Sequence, residues 1–261
     1  PSYVANTTFK GRTLVEILKE HPEYLGTKVK NGEFPILVKF IDAKKDLSVQ
    51  VHPSDEYARE YEMDNGKTEM WYVIDADEDA HIIYGFQHEV TEEILRKAIR
   101  TGTLDKHLQK VSVHKGDTYL VPAGTVHGIG KGVLIAEIQE SSNVTYRVYD
   151  YDRVDKNGRK RELHFDKAVK VMNMNVASDV SHKPKLVQYY PGSSRELLCR
   201  CQYFELERIQ ITKNFIFSVM ETSFQVLMCL GGCGEIQKID TDRKTMRFSN
   251  CLLYTSPSPR D

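Results

Sequence analysis

The chain has 261 residues, 40% apolar and 28% charged, which is enough for one large or two smaller domains with a substantial core. Its formal net charge of -1 gives no basic footprint for nucleic acid; no stretch reaches the roughly 18 uninterrupted apolar residues of a membrane span, and PSYVANTTFK lacks the layout of a signal peptide. The five cysteines fall at 199, 201, 229, 233 and 251, an odd number confined to the last third, so reduced thiols in a cytoplasmic protein are the expectation.

The first predicted element is a helix in GRTLVEILKEHPEYLG: Leu14, Ile17 and Leu18 form an apolar stripe, Thr13 can cap it, and His21-Pro22 stops it. FPILVKFI, residues 34–41, is apolar on both faces apart from Lys39 and predicts a buried strand. In SVQVH, which follows, alternation puts Val49 and Val51 on one side and Ser48, Gln50 and His52 on the other. Beside a buried strand, such a polar row points to an internal cavity rather than to water.

A short helical turn is expected from Ser54 to Glu62. The runs MWYVIDA and AHIIYGF predict strands, and VTEEILRKAIRTG predicts a helix with Thr91 as N-cap, Val90 stapled against Leu95, and Gly102 as its end. HLQKVSVHKGD, TYLVPAG, GVLIAEIQE and VTYRVYDYD continue the strand pattern; DKNGRK carries an Asn157-Gly158 turn, and another helical turn is expected near residues 166–172. Residues 128–132 (GIGKG) lack phosphate-loop spacing and are read as a hairpin turn. Arg159-Lys160-Arg161 reads as a solvated rim, and Cys199 with Cys201 as strand thiols. So many short strands indicate an all-β barrel or sandwich with small helical insertions. A polar, turn-rich stretch from about Lys183 marks the expected domain boundary, and since no histidine follows His182, chemistry is expected before it.

Metal-type donors gather on three of these strands: Gln50 and His52, Glu69 in GKTEMWYV, and His127 in VPAGTVHGIG. Two imidazoles, a carboxylate and an amide oxygen suit a borderline divalent metal with a position left for water or substrate. Taken singly, either histidine is more often a surface or hydrogen-bonded core residue than a ligand, and Glu69 reads as well as an exposed member of an alternating strand.

The strings LSVQVHPSDEYA, GKTEMWYVIDADEDAHIIYGF, KGDTYLVPAGTVHGIGKG and ESSNVTYRVYDYDRVDKNGRKRELH, in this order, resemble type I mannose-6-phosphate isomerase (phosphomannose isomerase) of the shorter bacterial form. The resemblance implies a double cupin, two antiparallel β-barrels or jelly rolls with a helical insertion near 91–101. It also implies a zinc-dependent interconversion of mannose 6-phosphate and fructose 6-phosphate by proton transfer through an enediolate, with a sugar phosphate as the small-molecule partner and neither nucleic acid nor membrane. Position by position, His52, Glu69, His127 and Gln50 match the zinc shell and Arg147 the active-site arginine. Lys39 and Ser48 resemble the phosphate-holding residues, Lys67 a pocket-lining lysine and Glu137 an acidic group near the sugar. The general base stays open among Glu137, Lys67 and a zinc-bound water, with Glu137 favoured. Arg147 also has a structural reading, as a cross-strand ion pair with Asp150 or Asp152.

Against the family pattern, a Gly-rich opening segment and first strand are missing, and the second barrel breaks off into CLLYTSPSPRD. The expected layout is therefore a catalytic cupin domain over 1–182, an incomplete second cupin over 183–250 and a non-native tail over 251–261. Two rival readings are a cupin that binds a sugar phosphate without turnover and an iron-dependent oxygenase using two histidines and a glutamate.

Overall fold

The computed structural model describes residues 3–5, 8–29, 32–177, 180, 186–237, 245–249 and 253–254. The start of the polar stretch at Lys183, Cys251 and all but two residues of CLLYTSPSPRD lie outside them. Two compact units result, Pro1–Pro35 with Phe215–Asp261, and Ile36–Asn214. Composition had placed the division at 182/183, inside the second of these.

In the first unit, α1 (Leu14–Glu20) starts on a capping box. Thr13 Oγ1 accepts the Glu16 N–H at 3.3 Å, and the Glu16 carboxylate accepts the Thr13 N–H at 2.7 Å. Its stripe buries Ile17 and Leu18, and a 3₁₀ turn over Pro22–Leu25 follows. Gly26 sits at φ +78, where a Cβ would stand 2.5 Å from the Ser223 backbone nitrogen, so only glycine fits. Short antiparallel ladders pair Leu227–Met228 with Leu253–Tyr254, and Cys233–Gln237 with Thr245–Ser249.

The second unit contains, in chain order, β1 (Ile36–Asp42), β2 (Val49–Val51), α2 (Asp55–Tyr61), β3 (Glu69–Ala76), β4 (His81–Phe86) and α3 (Glu92–Arg100). Then come β5 (Leu108–Ser112), β6 (Thr118–Val121), β7 (His127–Ile129), β8 (Val133–Glu140), β9 (Tyr146–Tyr149) and α4 (Phe165–Ala168). The last three strands are β10 (Leu186–Tyr190), β11 (Ser193–Arg200) and β12 (Glu205–Ile211). Antiparallel pairing makes one sheet in the order β1-β8-β3-β6, a second in the order β5-β4-β7-β2-β9 and a third in the order β10-β11-β12. The antiparallel β class with few helices is thus observed, in the double-sheet form of a jelly roll.

Trp71, Val73, Tyr119, Val121 and Ile135 of the first sheet pack between the layers against Ile82, Tyr84 and Ile129 of the second. On the outer face of the second sheet, Val49, Val51, Ile83, Tyr146 and Val148 pack with Leu95 and Ala98 of α3 and Ala168 of α4. Thr91 Oγ1 caps α3 by accepting the Ile94 N–H, and Val90 and Leu95 are both buried in that cluster. Leu198 and Cys199 of β11 cover Met70 on the outer face of the first sheet. The four described cysteines form no disulfide with one another.

One turn differs from the sequence reading. Residues 128–132 do not close a hairpin, because β7 and β8 belong to different sheets, and the chain crosses there from one layer to the other. Close backbone approach explains the glycines: the Gly130 N–H donates to the His81 carbonyl at 3.0 Å, where a Cβ would lie 2.3 Å from that oxygen, and Gly132 sits at φ +82. Among the described residues, no helix is long and apolar enough to cross a membrane.

Candidate metal centre

Because Val49 and Val51 belong to the outer cluster, Ser48, Gln50 and His52 lie on the face toward the other sheet. The register then fixes their neighbours: Gln50 stands opposite His127 on one side and Arg147 on the other. In the facing sheet, Glu69 of β3 stands opposite Gln139 of β8, and Glu137 lies between Lys39 of β1 and Trp71 of β3. One polar row from each sheet thus enters an otherwise apolar interior.

His52, Glu69 and His127 converge, with one donor atom from each within 4.8 Å of the others, and all three are at most 1% exposed. His52 Nδ1–H donates to the Val144 carbonyl at 2.9 Å and His127 Nδ1–H to the Thr125 carbonyl at 2.8 Å. These bonds fix the tautomer and leave each Nε2 unprotonated, the state a metal-binding imidazole needs. His52 Nε2 lies 3.1 Å from Glu69 Oε1 and His127 Nε2 3.7 Å from Glu69 Oε2. Trp71 Nε1–H donates to Glu69 Oε2 at 2.9 Å, while Lys67 Nζ stands 3.0 Å from Oε1. Despite these short approaches, among the described residues neither His52 Nε2 nor Glu69 Oε1 has a partner in hydrogen-bond geometry, although both are buried. Two orphaned donor atoms on such a set fit a divalent ion that takes nitrogen and oxygen ligands.

Electrostatics points the same way. Burial pushes His127 down to about 4, and burial also lowers His52, so both rings are neutral near pH 7. Burial alone would raise Glu69, yet its carboxyl is held well below the usual range, and with both rings neutral the positive charge beside it is that of Lys67. Gln50 Nε2 is 3.3 Å from His127 Nε2; turned about its terminal bond, the same amide presents Oε1 to the cluster.

The other predicted site residues are distributed around this centre. Glu137 is 3% exposed, and burial, then Glu69, raise its carboxyl. Lys39 Nζ donates to Glu137 Oε1 at 2.9 Å and also to Gln139 Oε1. Ser48 is buried on the Gln50 face, yet among the described residues no hydrogen bond joins it to Lys39. Arg147 donates from Nη1 to the Glu162 carbonyl at 2.9 Å, and its buried Nε has no partner among the described residues. Asp150 instead pairs with Arg161 and Arg153, so Arg147 does not form the cross-strand ion pair that was its structural reading. The sequence reading missed Trp71 and Gln139. Gln139 is fully buried, donates to the Glu140 and Ser142 carbonyls at 2.8 and 3.1 Å and accepts from Lys39, and the same-face spacing of Glu137 and Gln139 in IAEIQE was the available signal.

A family model described as phosphomannose isomerase type I, catalytic domain, matches residues 1–83, a span that includes His52 and Glu69 but ends before His127 and Arg147. The mannose-6-phosphate isomerase of Streptococcus mutans is 50% identical over 236 residues, covering 90% of this chain and 72% of that protein. The chain belongs to the mannose-6-phosphate isomerase family. A probable mannose-6-phosphate isomerase of Bacillus subtilis is 40% identical over 239 residues, covering 90% of this chain and 73% of that protein. The crystal structure of the mannose 6-phosphate isomerase from Bacillus subtilis superimposes with a TM-score of 0.83 at 38% identity, covering 96% of this chain and 77% of that one. The buried His-Glu-His cluster therefore sits in a fold shared with a solved member of the family.

Proposed function

We propose that this chain is a cytoplasmic, zinc-dependent aldose–ketose isomerase that interconverts mannose 6-phosphate and fructose 6-phosphate through an enediolate. The observation that carries this reading is the tautomer lock: both histidines hold Nδ1–H on backbone carbonyls, and both unprotonated Nε2 atoms converge on a buried carboxylate. His52, Glu69 and His127 would hold the ion, with Gln50 beside them. Bound there, zinc would supply Lewis-acid polarisation of the substrate's oxygens.

The remaining assignments concern this chain's own groups. Moving a carbonyl between two neighbouring carbons requires removing a proton from one and returning it to the other. Glu137, buried and with its carboxyl raised chiefly by that burial, is assigned that transfer. Arg147 directs a fixed positive charge at the oxygens that become negative, an interaction of several kcal/mol in a water-poor site. Lys39 and Ser48 are assigned to the phosphate end, and Lys67 holds Glu69 ionised.

The test is turnover of mannose 6-phosphate by the purified chain, followed as fructose 6-phosphate, with and without chelator and alongside Arg147→Ala. Loss with chelator and return on adding zinc are expected. Chelator-insensitive turnover removes the metal reading, and full activity in the arginine variant removes Arg147 from its role.

A further inference from the structure

We infer that His164 is the positioning residue for Arg147, acting as a one-residue substitute for a missing neighbouring strand. Among the described residues β9 is an edge strand, so the peptide groups along its outer side have no strand partner there. At Arg147 both are nevertheless satisfied, and by one residue. The His164 N–H donates to the Arg147 carbonyl at 2.8 Å, and the Arg147 N–H donates to His164 Nδ1 at 3.2 Å. An imidazole nitrogen thus stands where a strand would offer a carbonyl. Two residues earlier the Glu162 carbonyl accepts from Arg147 Nη1 at 2.9 Å. The segment 162–164 therefore grips Arg147 at its backbone on both sides and at its guanidinium.

Two further features show that the Nδ1 bond is not an incidental result of helix capping. His164 is the N-cap residue of α4, a position whose side chain ordinarily accepts a helix N–H, yet its ring makes no such bond and turns to Arg147 instead. The return segment is also anchored independently: Asp150 accepts from Arg161 at 2.7 and 2.5 Å, and Lys167 donates to Glu62 at 2.7 Å. Removing the ring should therefore leave the segment docked and the Arg147 carbonyl held by the N–H of residue 164, while freeing the Arg147 N–H. A rotation there moves the guanidinium at the end of a long side chain, where a displacement of about 1 Å can cost on the order of a hundredfold in rate.

The inference rests on the assigned role of Arg147, and the experiment separates the two. Asparagine places an acceptor at the reach of Nδ1, whereas glutamine moves it one methylene outward and leucine has none. Expected for His164→Leu is a kcat at least about tenfold lower with little change in KM and unchanged zinc content. His164→Asn should recover most of that loss and His164→Gln should not, a comparison that holds even if the leucine variant folds poorly. In an Arg147→Ala background, His164→Gln should have no further effect. Equal losses in both backgrounds, or asparagine no better than glutamine, would overturn the positioning role while leaving Arg147 in place. Full activity of Arg147→Ala alone would overturn both, and is read from a different variant.

Discussion

Glu140, at the end of β8, is 5% exposed, and its carboxylate accepts the Thr68 N–H at 2.7 Å. Burial pushes it up to about 7, the Thr68 bond opposing the shift and Asp55 adding to it. A carboxyl whose folded value exceeds its unfolded value of 4.5 binds more protons when folded. The stability it contributes is therefore fully present below the unfolded value and lost as pH rises through about 7. Between about pH 5 and about pH 8 the loss amounts to about 2–3 kcal/mol. Glu140→Gln keeps an oxygen for the Thr68 N–H, offers Asp55 a donor in place of a second negative charge, and cannot ionise. The variant is expected to match the parent near pH 5 and to exceed it by about 2 kcal/mol near pH 8, measured by urea unfolding at fixed zinc concentration. Parallel stability curves for the two proteins, or a variant less stable at the higher pH, would refute the reasoning.

Three other substitutions probe the centre and its support. Trp71→Phe removes the N–H held on Glu69 at 2.9 Å and should weaken zinc binding by about 10–100-fold in a competition assay against a calibrated chelator. Arg147→Lys keeps a charge but loses the planar donor set, so kcat in the isomerase assay should fall by about a hundredfold with KM little altered. Leu95→Ala empties a fully buried position between α3 and the second sheet and should cost about 2–5 kcal/mol in urea unfolding, with zinc content of the folded protein unchanged.

Much of the fold was legible because local chemistry and long-range packing agree. Thr13 and Thr91 cap helices where the pattern put them, and Val49 and Val51 pack outward as alternation requires. The turn at residues 128–132 was misread because glycines report a tight backbone without saying which sheet the next strand joins. That choice is made by the carbonyls of His81 and Ala43, distant in sequence, which take up the Gly130 and Gly132 N–H groups. The 182/183 boundary had a similar weakness: a polar stretch marks exposed chain, but whether β10 to β12 separate from the earlier strands depends on what covers Met70, and Leu198 and Cys199 do.

Within the site, what could be read was set by periodicity. Ser48, Gln50 and His52 were visible as a polar row because a strand has period two, and the same rule in β8 puts Glu137 and Gln139 on one face. The tautomer lock left no trace, since its acceptors are the backbone carbonyls of Val144 and Thr125, which any residue could supply. His164 was hidden for a related reason: it lies in no strand or helix, seventeen positions beyond the arginine it holds. Side chains that face an interior leave a pattern in the sequence, whereas groups that orient those side chains through the peptide backbone leave none. Arg147 with its clamp therefore tests whether this centre depends on positions that periodicity cannot reveal.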